Sequence, residues 1–373
     1  MRRTPLLALA LAPALACAGD DPRESATAAA STLPTVTITA SASASAGTDA
    51  TDSATGGSAT EGTGGGSDSD DSAGSASASA GSASAGVKFD LGIVPDGGAL
   101  PDDTGCENVD LLFVIDNSGS MADEQQNLIN SFPGFAAAMQ SQLQSAESYH
   151  VGVITSDTNA YNGLGCTLPG ALVTKTGGID SSNQTCTPYA SGKNYMNEGD
   201  DLGQKFQCAA KVGTGGSGNE QPMYTMGQAI GASLNAPGAC NDGFIREDAL
   251  LVVVIITDEE DDHEVNACNQ LPQSGSPGEP NDWYNTLVSA KEGIETNIVV
   301  LSLIGPPAPN TCPALDKCNG GIQGAEVGER IAQFTQMFTY GTIGQVCAPN
   351  FDTFFSDAIG VIDSACKNFK PPG

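Results

Sequence analysis

Four short stretches of the chain are apolar almost throughout: 111–115 (LLFVI), 151–155 (VGVIT), 250–256 (LLVVVII) and 298–304 (IVVLSLI). Runs of that length read as strands covered on both faces, as in a parallel sheet. Between and after them, mixed apolar and polar spacing predicts helices over 123–145, 221–234, 283–292, 325–338 and 351–366. In the last of these Phe351, Phe354, Phe355, Ile359 and Ile362 fall at helical spacing, as expected of a face packed on a sheet. Strands alternating with helices predict an α/β domain, a doubly wound, mostly parallel sheet flanked by helices in the Rossmann-like manner. Two segments exceed what such a fold needs as connections: 159–218, rich in Gly, Asn and Thr, and 268–282, rich in Pro, Gly and Ser. Loops of that length are expected to be functional or cross-linked.

The pattern changes toward the N-terminus. Residues 18–86 are built from Ser, Ala, Thr, Gly and Asp, with no aromatic residue and no cysteine. Such a segment cannot bury enough apolar surface to offset its conformational entropy and reads as a disordered tether with a mean span of about 45 Å. Residues 87–105 form a lead-in, with a short edge strand suggested by alternation around Phe89, Leu91 and Ile93. The domain then spans 106–368, and 369–373 is a tail. At the start of the chain Arg2 and Arg3 precede an apolar run over 5–15 and small residues before Cys17, the three parts of a secretory signal. Ala14-Leu15-Ala16-Cys17 resembles the lipobox of bacterial lipoproteins. That resemblance implies cleavage before Cys17, lipidation of its thiol and anchorage at the outer membrane or cell surface. Ordinary cleavage, with secretion or a periplasmic location, is the alternative.

Charge and cysteine count narrow the setting. A formal net charge of −30 excludes nucleic acid and anionic membrane surfaces as electrostatic partners and suits hard cations instead. With Cys17 assigned to lipid, the 11 cysteines leave an even ten, all after residue 105, as expected of a disulfide-bonded exported domain. No CxxC pair occurs and there are only 2 histidines, so zinc and iron–sulfur sites are not indicated. Cys166, Cys186 and Cys208 are expected to staple the long loop over 159–218. Cys312 and Cys318 suit a local loop, and Cys106 paired with Cys347 or Cys366 would tie the ends of the domain.

The chemistry lies where two apolar runs end. Asp116-Asn117-Ser118-Gly119-Ser120 follows the first run at once, and Thr257-Asp258-Glu259-Glu260-Asp261-Asp262 follows the third. A loop leaving the carboxyl end of a strand presents alternate side chains toward one point, so a carboxylate and two hydroxyls can meet there. Hard oxygen donors favour Mg²⁺ or Ca²⁺, with Mn²⁺ also suited. The run Glu259, Asp261 and Asp262 reads as a solvated acidic loop, with a second cation as the alternative.

The DxSxS sequence at a strand end, followed by Met121 and a long helix, resembles the metal-ion-dependent adhesion site of the von Willebrand factor A family. The resemblance covers about 107–367. It implies a divalent cation held by Asp116, Ser118 and Ser120, with Asp258 as a further carboxylate. It also implies that a Glu or Asp of a protein or surface-polymer ligand fills an open position on the ion. The family supplies a Thr from a third, Gly-rich loop. Aligning Met226-Gly227-Gln228-Ala229-Ile230 with the family pattern puts Glu220 at that position, with Thr214 and Thr225 as alternatives. A third carboxylate would lower the net charge of the site and weaken its hold on an acidic ligand. The whole resembles an exported bacterial lipoprotein with a Ser/Thr/Ala/Gly stalk and a cysteine-rich binding domain.

Two other functions remain to be weighed: a metal-dependent hydrolase, since a cation with an open position can activate water, and a metal-stabilised structural module without a dedicated ligand. No GxSxG occurs from residue 87 onward and no P-loop is present, and His263-Glu264 lacks the second histidine of a zinc-protease helix. His263 reads as a polar loop residue and His150, before a buried strand, as a structural histidine. A binding protein is the expected class.

Overall fold

The computed structural model describes residues 105–143, 146–261, 274–315 and 323–373. The lipidation reading at Cys17, the tether and the edge strand over 87–101 lie outside them, as do Cys268, Cys318, Asp262 and His263. Five strands, β1 (Asn108–Ile115), β2 (Ser148–Thr155), β3 (Ala249–Ile256), β4 (Ile298–Ile304) and β5 (Gly341–Gln345), form one sheet in the order β2-β1-β3-β4-β5. Every neighbouring pair is parallel.

Alternation along the central strands sorts side chains to two cores, as the two-residue period of a strand requires. Leu111, Phe113 and Ile115 join one cluster with α1 (Ala122–Gln142), α2 (Leu202–Ala210) and α7 (Asp352–Lys367). Leu112 and Val114 join the other with α3 (Pro222–Ile230), α5 (Pro280–Ser289) and α6 (Glu329–Gln336). A one-turn helix, α4 (Ala232–Asn235), follows α3. The sheet is therefore covered on both faces, as the apolar runs predicted, and the helices over 123–145, 221–234, 283–292, 325–338 and 351–366 are present with shifted ends. One strand and one α-helix among the described residues were not predicted. β5 is short and only half-buried, and α2 interrupts the segment read as a single loop over 159–218.

The strand order positions the functional end. From β1 the chain steps outward to β2, then returns to lay β3 on the other side of β1. The order reverses between β1 and β3, and a crevice opens at the carboxyl ends of such a pair. Asp116 and Asp258 flank that crevice.

Four disulfides pin the described chain: Cys106–Cys366, Cys166–Cys240, Cys186–Cys208 and Cys312–Cys347. Cys106–Cys366 ties the two ends of the domain, as one of the two expected pairings had it. Cys312 does not close a local loop with Cys318; it fastens the segment after β4 to the end of β5. Within 159–218 only Cys186 and Cys208 pair with each other, while Cys166 reaches out to Cys240. Disulfides of this number belong to an oxidising compartment. Among the described residues no helix is long and apolar enough to cross a membrane. The tail is held as well: Asn297 Nδ2 donates to the Lys370 carbonyl at 2.6 Å and Lys370 N donates to Asn297 Oδ1 at 2.9 Å.

The opposite end of the sheet carries a buried ionic cluster. Asp110, fully buried in β1, accepts from Arg246 N and Nε, each at 2.7 Å. Arg246 also donates to Asn108 Oδ1 and Ser148 Oγ, each at 3.0 Å. His150 Nδ1 lies 2.9 Å from the Phe244 carbonyl and 3.5 Å from Asp110, its ring against Tyr195 at 4.2 Å between centroids. It is a structural histidine, remote from the acidic crevice.

Candidate metal centre

The motif after β1 is locked before any ion is considered. Asp116 N donates to the Ile256 carbonyl at 3.0 Å, Ser118 N donates to Asp116 Oδ1 at 2.8 Å, and Thr257 Oγ1 donates to Asp116 Oδ2 at 2.7 Å. The hydroxyls of Ser118 and Ser120 face each other at 3.4 Å. Gln125, one turn into α1, donates through Nε2 to the carbonyls of Asp116 at 2.9 Å and Gly213 at 3.0 Å, while its Oε1 accepts from Gly213 N at 3.0 Å. The Gly-rich loop is thereby fastened to the motif. Its Gly216 donates to the Asn117 carbonyl at 2.8 Å, and a Cβ at Gly216 would fall 2.5 Å from Asn117 Cγ, so only glycine permits that approach.

The loop brings Glu220 into the crevice and leaves both threonines out. Thr214 Oγ1 donates to Asp180 at 2.9 Å on the surface, and Thr225 Oγ1 donates to the Pro222 carbonyl at 3.1 Å inside α3. Neither shows a contact with the motif. Glu220 is fully buried, and its Oε2 lies 2.8 Å from Ser156 Oγ. That hydroxyl also lies 3.1 Å from Asp116 Oδ1 and 3.0 Å from Asn117 Oδ1. One hydroxyl proton serves one of the three acceptors at a time, so the site is short of donors. Ser156 was not picked out in the sequence, although it follows directly on the apolar run over 151–155. Its position at the carboxyl end of β2 is the signal that would have found it.

The shortage is greater at Asp258. It is fully buried, and neither carboxylate oxygen has a hydrogen-bond partner; Glu220 Oε1 and Glu124 Oε2 are in the same condition. Burial first, then the charge of Asp116, pushes the Asp258 carboxyl up to about 8. The Ser120 hydroxyl, near Asp258 but outside hydrogen-bonding geometry, pulls the other way. Burial, followed by Asp116, also raises Glu220 well above the usual carboxylate range. Glu124, in the first turn of α1, is pushed up to about 9 by burial, then by the Asp123 side chain and the charge of Asp258.

Buried carboxylates without donors need protons or a cation. The residues present fit a hard divalent ion: carboxylates from Asp116, Asp258 and Glu220, and hydroxyls from Ser118 and Ser120. Among the described residues no group of three or more His, Cys, Asp or Glu side chains is placed to hold a metal ion, and the trio Asp116, Asp258 and Glu220 is no exception.

In the acidic run after β3, Asp261 is neither solvated nor a spare ligand, while Glu259 is half-buried and Asp262 lies outside the described residues. Asp261 is fully buried; it accepts from Ser276 N and Ser276 Oγ, each at 2.6 Å, and from Met223 N at 3.1 Å. It therefore caps the start of α3 and ties two loops together. Backbone donors already occupy the oxygens a second cation would need.

These shifts set a pH dependence for the cation-free domain. The native state retains protons on Asp258 and Glu124 that the unfolded chain releases above about pH 4, so stability is greatest in acid and falls as pH rises through about 8 and 9. His150, lowered chiefly by burial, opposes this only below about pH 6.5. Thermal unfolding in EDTA from about pH 6.5 to pH 9 is expected to show a falling midpoint, and Mg²⁺ is expected to flatten the slope. A midpoint rising over that range in EDTA would contradict these assignments.

No protein family model matches the chain, and no curated protein matches it. Among solved structures, proximal thread matrix protein 1 from the mussel byssus aligns at 13% identity over 70% of this chain and 49% of that one, with a TM-score of 0.34. The pilus adhesin SpaC from Lactobacillus rhamnosus GG, in an open conformation, aligns at 13% identity over 70% of this chain and 30% of that one, with a TM-score of 0.35. The chain thus spans about half the length of the first and under a third of the second. Likeness of this depth carries no weight for function.

Proposed function

We propose that this chain is an exported binding protein of the von Willebrand factor A type, whose divalent cation engages an acidic group on a protein or surface-polymer ligand. In this reading Asp116, Ser118 and Ser120 hold Mg²⁺ or Ca²⁺, with Mn²⁺ as a substitute, and Asp258 and Glu220 complete the protein's share of the ligands. A lipid on Cys17 anchors the chain to the membrane, and the tether holds the domain away from it. The observation that carries the reading is the set of buried carboxylate oxygens without donors on Asp258 and Glu220, beside a DxSxS motif at the switch point of a parallel sheet. When bound, the ion supplies a fixed positive charge with a position open to a carboxylate. The protein's own groups orient the ligands: Thr257 and the Ser118 amide fix Asp116, and Ser156 sets the spacing of Asp116 and Glu220.

Capture from envelope or neighbouring-cell extracts tests the binding role. Partners are expected to be retained in Mg²⁺ and lost both in EDTA and with Asp116→Ala. Partners unchanged by both treatments would leave the fold intact and remove the function. Ser156→Ala removes no proposed ligand but takes away the hydroxyl that lies 2.8 Å from Glu220 Oε2 and 3.1 Å from Asp116 Oδ1, and it is expected to weaken Mg²⁺ affinity about tenfold by calorimetry, as loss of an orienting partner does. An unchanged affinity would show that Ser156 only fills space.

One observation favours a second reading. Glu220 joins the crevice as a third carboxylate, which offsets the ion's charge and suits a metal-stabilised structural module without a ligand. In that case EDTA would lower the unfolding midpoint and leave every captured partner in place.

A further inference from the structure

The two sides of the crevice differ in charge. After β3 and β4 the chain carries Glu259, Glu260, Asp261, Glu326 and Glu329 against Arg330. Glu326 N donates to the Asp258 carbonyl at 2.8 Å, so this acidic stretch borders the metal loop on the β4 side. On the β2 side, residues 158–179 hold Lys175 and no acidic residue, and residues 221–241, which include α3 and α4, hold no charged residue. In a protein of net charge −30, an acidic ligand meets least repulsion by approaching from the β2 side.

That side is also apolar. Among the described residues five large apolar side chains are exposed, and four of them, Tyr161, Leu164, Leu168 and Ile179, fall within 158–179; the fifth is Val327. Leu164 is fully exposed between two glycines, and Ile179 shows 71% of its surface to solvent. Single exposed apolar residues are ordinary, whereas four on one short loop mark a contact surface.

The loop is fastened to the crevice at both ends. It leaves at Asp157, whose carboxylate accepts from Asn117 Nδ2 at 2.9 Å and Ser217 N at 2.8 Å. It returns at Ile179, whose carbonyl accepts from Thr214 N at 3.0 Å, next to the Gly213 that Gln125 ties to Asp116. The Tyr161 ring rests on Gly177 and Gly178, which sets it beside Ile179. Between these ends Asn162 Nδ2 donates to the carbonyls of Cys166 and Leu172, each at 3.0 Å, and its Oδ1 accepts from Thr174 N at 2.9 Å. Cys166–Cys240 then ties the loop to the segment after α4. Gly170, at a φ of +77°, lies so close to α3 that a Cβ there would fall 2.6 Å from Ala229 N. The apolar side chains therefore stand on a preformed backbone, and little ordering entropy opposes binding there.

We propose that the loop over 158–179 docks an apolar side chain that flanks, in the protein ligand, the carboxylate taken up by the cation. This ligand rests on the binding reading above and gains a second determinant: an acidic residue with an aliphatic or aromatic one close by. Two attachment points on a preformed surface give specificity that a single carboxylate on an ion does not.

The test uses the full chain in Mg²⁺ and fluorescent synthetic peptides that carry one Asp and one Leu, in either order, separated by a graded series of glycines. In matched peptides Gly replaces Leu. At the best spacing the Leu peptide is expected to bind about fivefold to tenfold more tightly than its Gly counterpart, as partial burial of one aliphatic side chain provides. That advantage is expected to disappear when Leu164→Ser and Ile179→Ser are combined, exposed changes that leave the unfolding midpoint in place, and to persist in Val327→Ser. Leu and Gly peptides that bind alike at every spacing, while binding still requires Asp and Mg²⁺, would overturn the loop's role and leave the cation reading standing. Peptides that do not bind, or that bind equally with Asn in place of Asp or in EDTA, would overturn the cation reading, and the two-point ligand with it. An advantage kept in the combined variant, or lost equally in Val327→Ser, would also overturn the loop. Sedimentation that finds a dimer in the wild type and a monomer in the combined variant would assign the loop to a second copy of the chain instead.

Discussion

Asp258→Asn is expected to make the cation-free domain more stable and, at the same time, to abolish the stability that a divalent cation adds. The two effects have one origin. Asp258 is fully buried with no donor to either oxygen, and burial followed by the charge of Asp116 pushes its carboxyl up to about 8. Above that pH the fold must hold an unpaired buried charge, a cost that an amide does not carry. The gain on substitution is expected to be about 1–3 kcal/mol near pH 9, the range for relieving an unsatisfied buried polar group. The loss appears only with the ion present. A cation at about a hundred times its dissociation constant adds about 2.7 kcal/mol to a native state that alone binds it, and Asp258→Asn should erase most of that increment. Denaturant unfolding at pH 9, with EDTA and with Mg²⁺, measures both. A variant that is weaker without the ion and keeps the full increment with it would show that Asp258 serves the fold and not the cation.

The largest stability loss is expected at the other end of the sheet. Arg246→Ala leaves Asp110 buried in β1 without its principal partner, and removing one member of a buried ion pair costs about 3–5 kcal/mol. Asp110 is already raised by burial, with Arg246 the leading counterweight, then Lys291 and His150. Without Arg246 its carboxyl rises further, so the native state retains a proton over a wider range. The deficit therefore grows as pH climbs above about 4. Asp110→Leu combined with Arg246→Met is expected to recover much of the loss, because the burial penalty disappears along with the attraction. Guanidinium unfolding of the single and double variants at pH 5 and pH 8 would show the pattern. A single variant within about 0.5 kcal/mol of wild type at both pH values would mean that Arg246 is dispensable.

What the sequence made legible follows from where the physics is local. A strand buried on both faces must be apolar at consecutive positions, so β1 and β3 stand out, and the acidic residues that end them mark the crevice. β5 (Gly341–Gln345, GTIGQ) lies half-buried at the sheet edge and needs no such run, so it carries no comparable signal. α2 begins after Asp201, whose side chain accepts from Gln204 N at 3.1 Å, but its nine residues are set among loop-like composition. At the candidate site the residues of the contiguous motif were readable, and Glu220 was placed by aligning the helix that follows it. Ser156 and Thr257 were missed as partners of Asp116 because their contacts cross between strands and depend on register. Asp261 was misjudged because an acidic run resembles a solvated face until Ser276 and the start of α3 are seen to close around it. Cysteine pairing likewise depends on tertiary distance: Cys312 meets Cys347 across 35 residues and not its nearer neighbour in sequence.

The central claim, that Asp116, Ser118, Ser120, Asp258 and Glu220 surround a divalent cation, is tested most directly by anomalous diffraction from crystals of the domain grown with Mn²⁺. The expected result is a single strong anomalous peak within about 2.0–2.5 Å of Asp116, Ser118 or Ser120 oxygens, with Asp258 and Glu220 on its far sides and at least one coordination position not filled by the protein. Anomalous density absent from that crevice at saturating Mn²⁺, with Asp258 and Glu220 still buried as acids, would contradict it.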